Sequence, residues 1–156
     1  MDKVVIYKDI EFWTWNSNYE KIYKLGRIRN GKVILAPEEV LYLLEKGKII
    51  VRGYKDKEDF VRREKINFRK YFALRYLRDI GYYVDACDEG VIVHAKGERD
   101  NPIYLCVPLF EFDELTWKDL KEMIEEAKRI GCKLLLAFID AEFDVVFYEC
   151  KKMRFC

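Results

Sequence analysis

The stretch NFRKYFALRYLRDIGYYVDACDEGVIVHA, residues 67–95, decides the fold because its apolar period changes part-way along. Phe68, Phe72, Leu74, Leu77 and Ile80 recur at helical spacing behind Asn67, a residue suited to cap a helix, and Gly81 supplies the stop. Beyond Gly81 the chain reads as strands: YYVDAC, GVIVHA and then PIYLCVPLF. A second helix follows, WKDLKEMIEEAKRIG, with a cap at Thr116 and a stop at Gly131, and the strands KLLLAFID and DVVFYEC close the pattern. The order αβββαββ lays a helix across a mixed sheet, an α/β (α+β) class of fold.

The first half is built differently. KVVIY (3–7), KIYKL (21–25) and KVIL (32–35) are short, β-branched and aromatic, with the turn signal RNG before the last, and are expected to form an antiparallel meander. In APEEVLYLLEKGK, Pro37 suits a first helical turn, Glu38 and Glu39 lie beside it, and Gly47 ends the helix. The strand KIIVRGY follows, and the charged run KDKEDFVRREK is either a solvated helix or a connector. A boundary is expected near residues 60–68, giving a small N-terminal mixed α/β domain over 1–66 and a C-terminal domain over 67–156. No internal repeat or low-complexity segment is present.

Composition narrows the function. With 29 Lys+Arg against 28 Asp+Glu, the net charge is +1, so the chain as a whole lacks the positive field that by itself attracts nucleic acid. Any RNA contact must be local or shared. The cysteines Cys87, Cys106, Cys132, Cys150 and Cys156 form no CxxC pair, and the single histidine, His94, cannot complete a zinc set; no metal and no cofactor is expected. The N-terminal residues MDKVVIYKDIEF lack a signal-peptide layout and no segment has the length of a membrane span, so reduced thiols and a cytoplasmic location are expected.

Two stretches go beyond generic α/β. ILAPEEVLYLLEKGKIIV, and the chain from LRYLRDIGYYV through KLLLAFIDAEFDVVFYE, resemble in order and spacing the archaeal tRNA-splicing endonuclease family, over most of residues 25–150. The resemblance implies a nuclease-like C-terminal domain, assembly into dimers or tetramers, and metal-free cleavage of bulge-helix-bulge RNA to a 2',3'-cyclic phosphate and a 5'-hydroxyl. It also implies a triad: a tyrosine takes the 2'-hydroxyl proton, a histidine protonates the leaving 5' oxygen, and a lysine offsets the phosphorane charge.

Carried onto this chain, the tyrosine position falls on His94 in HAKG, the histidine position on Asn101 in NPIYLC, and the lysine position on Cys132, with Lys133 one residue later. Neighbours on a strand face opposite sides, so Lys133 is expected to point away from the site unless a bulge returns it. Asparagine cannot cycle a proton near neutral pH, and a neutral thiol cannot replace an ammonium charge. The resemblance therefore implies a structural subunit of a heteromeric enzyme, a heterotetramer with a partner that carries Tyr, His and Lys and acts on precursor tRNA. The alternatives are a stand-alone RNase with His94 as base and Lys133 or Lys96 as cation, and a nucleic-acid-binding scaffold.

Each residue also has a plain reading. His94 would be a partly exposed hairpin residue, Asn101 before Pro102 a turn former, and Cys132 a small buried side chain. Arg62, Arg63, Lys65, Arg69, Lys70 and Lys96 are candidates for RNA phosphate contact, or simply solvated charge. Tyr71, Phe72, Tyr76, Tyr82 and Tyr83 suit core packing better than base stacking. The hairpin tip Asp140, Glu142 and Asp144 stands where the family has an acidic loop that docks on another subunit; a metal site is the weaker alternative.

Overall fold

The computed structural model describes residues 2–150; Cys156 lies outside them. The chain forms two compact units, Met1–Tyr71 and Phe72–Cys156.

Unit 1 is a five-stranded sheet in the order β3-β4-β2-β1-β5, built from β1 (Val4–Lys8), β2 (Phe12–Trp15), β3 (Arg27–Arg29), β4 (Lys32–Leu35) and β5 (Ile49–Val51). All pairings are antiparallel except β1 with β5. That parallel pair needs a crossover, which α1 (Pro37–Glu45) supplies. Helices α1 and α2 (Lys57–Arg63) bury Val40, Leu41, Leu43 and Phe60 with Ile6, Phe12, Val33, Leu35 and Ile49 of the sheet. Two buried carboxylates organise the connections. Glu39 accepts from the backbone N–H of Gly26 and of Ala36, and Glu38 accepts from that of Asn67.

The expected meander is corrected in two places. Residues 21–25 are not a strand: Glu20–Ile22 is a 3-10 turn, and Tyr23 and Lys24 adopt left-handed backbone conformations with φ of 60° and 56°. The strand that does sit in the sheet centre is β2, and the charged run is the helix α2. Composition favoured a strand at 21–25, but the chain must turn there so that Gly26 can press against Ile34, where an added Cβ would lie 2.6 Å from a carbonyl oxygen.

The division between the units falls inside α3 (Phe68–Asp79), whose N-terminus is capped by Asn67 as expected. Unit 2 carries a sheet in the order β10-β9-β8-β7-β6, with β6 (Val84–Ala86), β7 (Val91–His94), β8 (Pro102–Phe110), α4 (Trp117–Arg129), β9 (Lys133–Ile139) and β10 (Val145–Cys150). The α4 cap is Thr116, whose hydroxyl accepts from the Asp119 N–H while Asp119 accepts from the Thr116 N–H. Strands β8 and β9 are parallel, joined by α4, and the other pairs are antiparallel. Leu105, Val107, Leu134 and Leu136 pack beneath α4 with Ala127, Leu120 and Met123. On the opposite face Cys106, Ala137 and Ile139 are buried, Phe72 stacks on Phe143 at 4.6 Å and Tyr76 meets Phe147 at 5.4 Å. Covering both faces explains why β8 and β9 read as continuous apolar runs.

Gly90 opens β7 where the chain passes so close to β8 that a Cβ would sit 2.1 Å from the Cys106 carbonyl oxygen, a backbone atom that cannot rotate away. Gly90→Ala is expected to cost about 3 kcal/mol by overpacking, read as a lower urea midpoint at unchanged slope.

Candidate functional site

Register places His94, Asn101 and Cys132, the positions that the resemblance matches to a triad, at one end of the unit 2 sheet. His94 pairs with Pro102, next to Asn101, and Tyr104 pairs in parallel with Lys133, next to Cys132. Topology therefore gathers the C-terminal end of β7 and the N-terminal ends of β8 and β9, and the side chains decide what that end can do.

His94 is not the partly exposed residue expected; it is 4 % exposed. The β7–β8 register shifts between Val93 and His94, and a bulge of this kind re-aims a side chain. The imidazole Nε2 lies 2.7 Å from Asp85 Oδ2 and 2.7 Å from Arg99 Nη1. Arg99 in turn grips the Asp85 carboxylate in bidentate fashion, Nη2 to Oδ1 at 2.5 Å and Nη1 to Oδ2 at 3.1 Å. Guanidinium only donates, so Nε2 serves one partner at a time. Protonated, it donates to Asp85 and leaves Arg99 to the carboxylate; unprotonated, it accepts from Arg99 and the ring proton moves to Nδ1, which has no partner among the described residues. In both states Nε2 is engaged inside the protein and is not presented to a ribose hydroxyl.

The other two positions carry neither an acid nor a cation. Asn101 is exposed and donates from Nδ2 to Glu98 Oε2 at 2.6 Å, closing the 95–101 loop. Cys132 is half-buried, and burial pushes its thiol above the ordinary range, so it carries no charge at neutral pH. It lines a cavity of about 370 Å³ with Ile124, Ala127, Leu134 and Cys150, on the α4 side of the sheet. Lys133 is exposed, with Nζ 3.6 Å from Glu149 Oε1.

The charged candidates divide between the units. In unit 1, Arg62 and Arg63 both bond Asp59, whose carboxyl the Lys55 backbone N–H and these two guanidinium groups hold down to about 2. Exposed Lys65 and half-buried Arg69 and Lys70 follow in the same unit, while Lys96 of unit 2 lies over the Tyr82 ring at 5.6 Å. At the β9–β10 hairpin, Asp140 accepts from the backbone N–H of Glu142 and of Asp144, so it builds the turn while Glu142 and Asp144 project. Among the described residues no cluster of His, Cys, Asp and Glu is placed to hold a metal ion.

Asp85 and Arg99 match no motif in the sequence. Asp85 carried a signal, an acid inside the otherwise apolar run YYVDAC; Arg99 sat in a polar loop and carried none.

Residues 2–64 match the family described as tRNA intron endonuclease, N-terminal domain. Over 150 residues the chain is 28% identical to the tRNA-splicing endonuclease of Thermococcus kodakarensis, covering 90% of this chain and 89% of that protein. The protein of the same name from Thermococcus gammatolerans is 29% identical over equal coverage. The tRNA-splicing endonuclease of Methanosarcina acetivorans is 30% identical over 145 residues, which are 84% of this chain and 41% of that protein.

Removing one member of the buried cluster strands the others. Asp85→Ala is expected to cost about 3–5 kcal/mol, and the Asp85→Ala/Arg99→Ala double variant less than the sum of its singles. Urea unfolding of the four proteins measures the coupling.

Proposed function

We propose that the chain, which over most of its length is similar to archaeal tRNA-splicing endonucleases, is a structural subunit of a tRNA-intron endonuclease, catalytically silent by itself. It pairs with a subunit bearing Tyr, His and Lys, and the assembly, a heterotetramer, cleaves bulge-helix-bulge precursor tRNA in the cytoplasm. No described helix is long and apolar enough to cross a membrane. The family match over residues 2–64 supports an N-terminal domain of residues 1–66 ahead of a nuclease-like domain of 67–156.

The reading rests on one observation: the side chain at the tyrosine position, His94, is buried and tied to Asp85 and Arg99. General acid-base help is worth roughly 100-fold to 10,000-fold per group, and Asn101 and Cys132 supply neither an acid nor a cation at the other two positions. The work left to such a subunit is positional. It holds two partner active sites at the spacing of two bulges, in an RNA recognised largely by shape. Glu142 and Asp144 are the charges available to dock the hairpin on a basic cleft of the partner, with Asp140 fixing the turn that presents them.

The test is to mix this chain with a triad-bearing family member from the same source, then assay bulge-helix-bulge cleavage and gel-filtration size. A mixed complex that cuts is expected. Glu142→Lys/Asp144→Lys is expected to dissociate that complex and lower cutting at least tenfold. Two proteins that elute separately, with no gain in cutting, overturn the reading.

A further inference from the structure

Opposite its helices, the unit 1 sheet presents a face on which aromatic and basic side chains alternate. Cross-strand partners share a face, and the pairs Tyr7↔Trp13, Trp13↔Ile34, Trp15↔Lys32, Arg27↔Ile34, Arg29↔Lys32 and Val5↔Ile50 define it. Trp15 is 51% exposed and Ile50 50%. The rings are already ordered: Tyr7 and Trp13 stack at 4.8 Å, and Trp13 meets Trp15 edge-on at 4.9 Å. The Trp13 indole N–H is fixed by a 2.9 Å bond to Asp9 Oδ2. Cations sit among the rings, with Lys32 Nζ 4.2 Å from the Trp13 centroid and 5.9 Å from that of Trp15, and the Arg52 guanidinium 5.9 Å from that of Tyr7. Arg29 is ion-paired with Glu11 at the rim.

We infer that this face binds a single-stranded segment of RNA, one unpaired base stacking on Trp15 while Lys32 and Arg52 take the adjoining phosphates. The inference rests on the reading that the chain acts on precursor tRNA, and adds to it a binding surface in unit 1, remote in sequence from the triad positions. Charge and shape select the occupant. A chain nearly neutral overall, at +1, has gathered Arg27, Lys32 and Arg52 on one aromatic face, which suits a polyanion with flat apolar groups. A protein partner fits less well, because interface cores are depleted in lysine. A duplex fits less well too, since only unpaired bases offer their faces to an indole. Tyr7 and Lys32 occupy Trp13, so Trp13 serves as the rigid backing and Trp15 as the stacking surface. The Trp15 ring is held without a new ordering cost on binding.

The experiment uses the full chain. Trp117→Phe leaves Trp13 and Trp15 as the tryptophans of the protein, which has 3 in all, and the probe is an unstructured ten-nucleotide RNA added at several salt concentrations. Quenching of tryptophan emission is expected, with affinity falling about tenfold in Trp15→Ala and staying within about twofold in Trp15→Phe. Lys32→Gln and Arg52→Gln should each flatten the dependence of log affinity on log salt by about 0.7. Binding without quenching, or an affinity that neither Trp15→Ala nor Lys32→Gln changes, overturns the inference. So does quenching that appears only when the triad-bearing partner is added without RNA, which would assign the face to protein. The oligonucleotide titration needs neither cleavage nor a partner, so its failure is read separately from any failure of the structural-subunit reading.

Discussion

The parallel pairing of β8 with β9 is the constraint on which unit 2 depends. Parallel neighbours cannot be joined by a tight turn, so the chain must cross over through α4 and bury a helix face against both strands. The crossover brings the start of β9 back beside the start of β8, and antiparallel β7 delivers its own end to the same place. Residues 94, 101 and 132 are thereby brought to that one end of the sheet. Chemistry is then a matter of substitution rather than of architecture.

At this end the chain has internalised Asp85, His94 and Arg99, while Asn101 and Lys133 stay exposed. Asp85, His94 and Arg99 form a buried network through the imidazole Nε2, and the loop from 95 to 101 is drawn in by Arg99 and closed by Asn101 on Glu98. A carboxylate, an imidazole and a guanidinium in mutual contact are costly when broken singly, because each deletion strands a buried partner. Groups committed in this way are poor proton carriers. A catalytic base needs a free lone pair within reach of the substrate, and an ammonium opposite a phosphorane needs to be charged. The unit 1 sheet is the converse case, with its aromatic and basic groups turned outward.

Much of this was legible in the sequence. The Asn67 cap, the Gly81 and Gly131 stops and the apolar runs of β8 and β9 located every element of unit 2, because each signal is local. Unit 1 was harder. The β-rich composition of residues 21–25 suggested a strand, but the close approach of Gly26 to Ile34 requires a turn there, and the short strand Phe12–Trp15 takes the central place. The burial of His94 was not legible. Its partners lie 9 and 5 residues away, and they meet it through a register shift in the hairpin that no alternation of polar and apolar residues reveals.

The most direct test of catalytic silence is single-turnover cleavage of a bulge-helix-bulge RNA by the purified chain alone, with enzyme in excess, across pH 6 to 9. No product above the uncatalysed rate is expected at any pH. Cutting by the chain alone, lost in His94→Ala, would contradict it and would mean that the buried imidazole opens to the substrate.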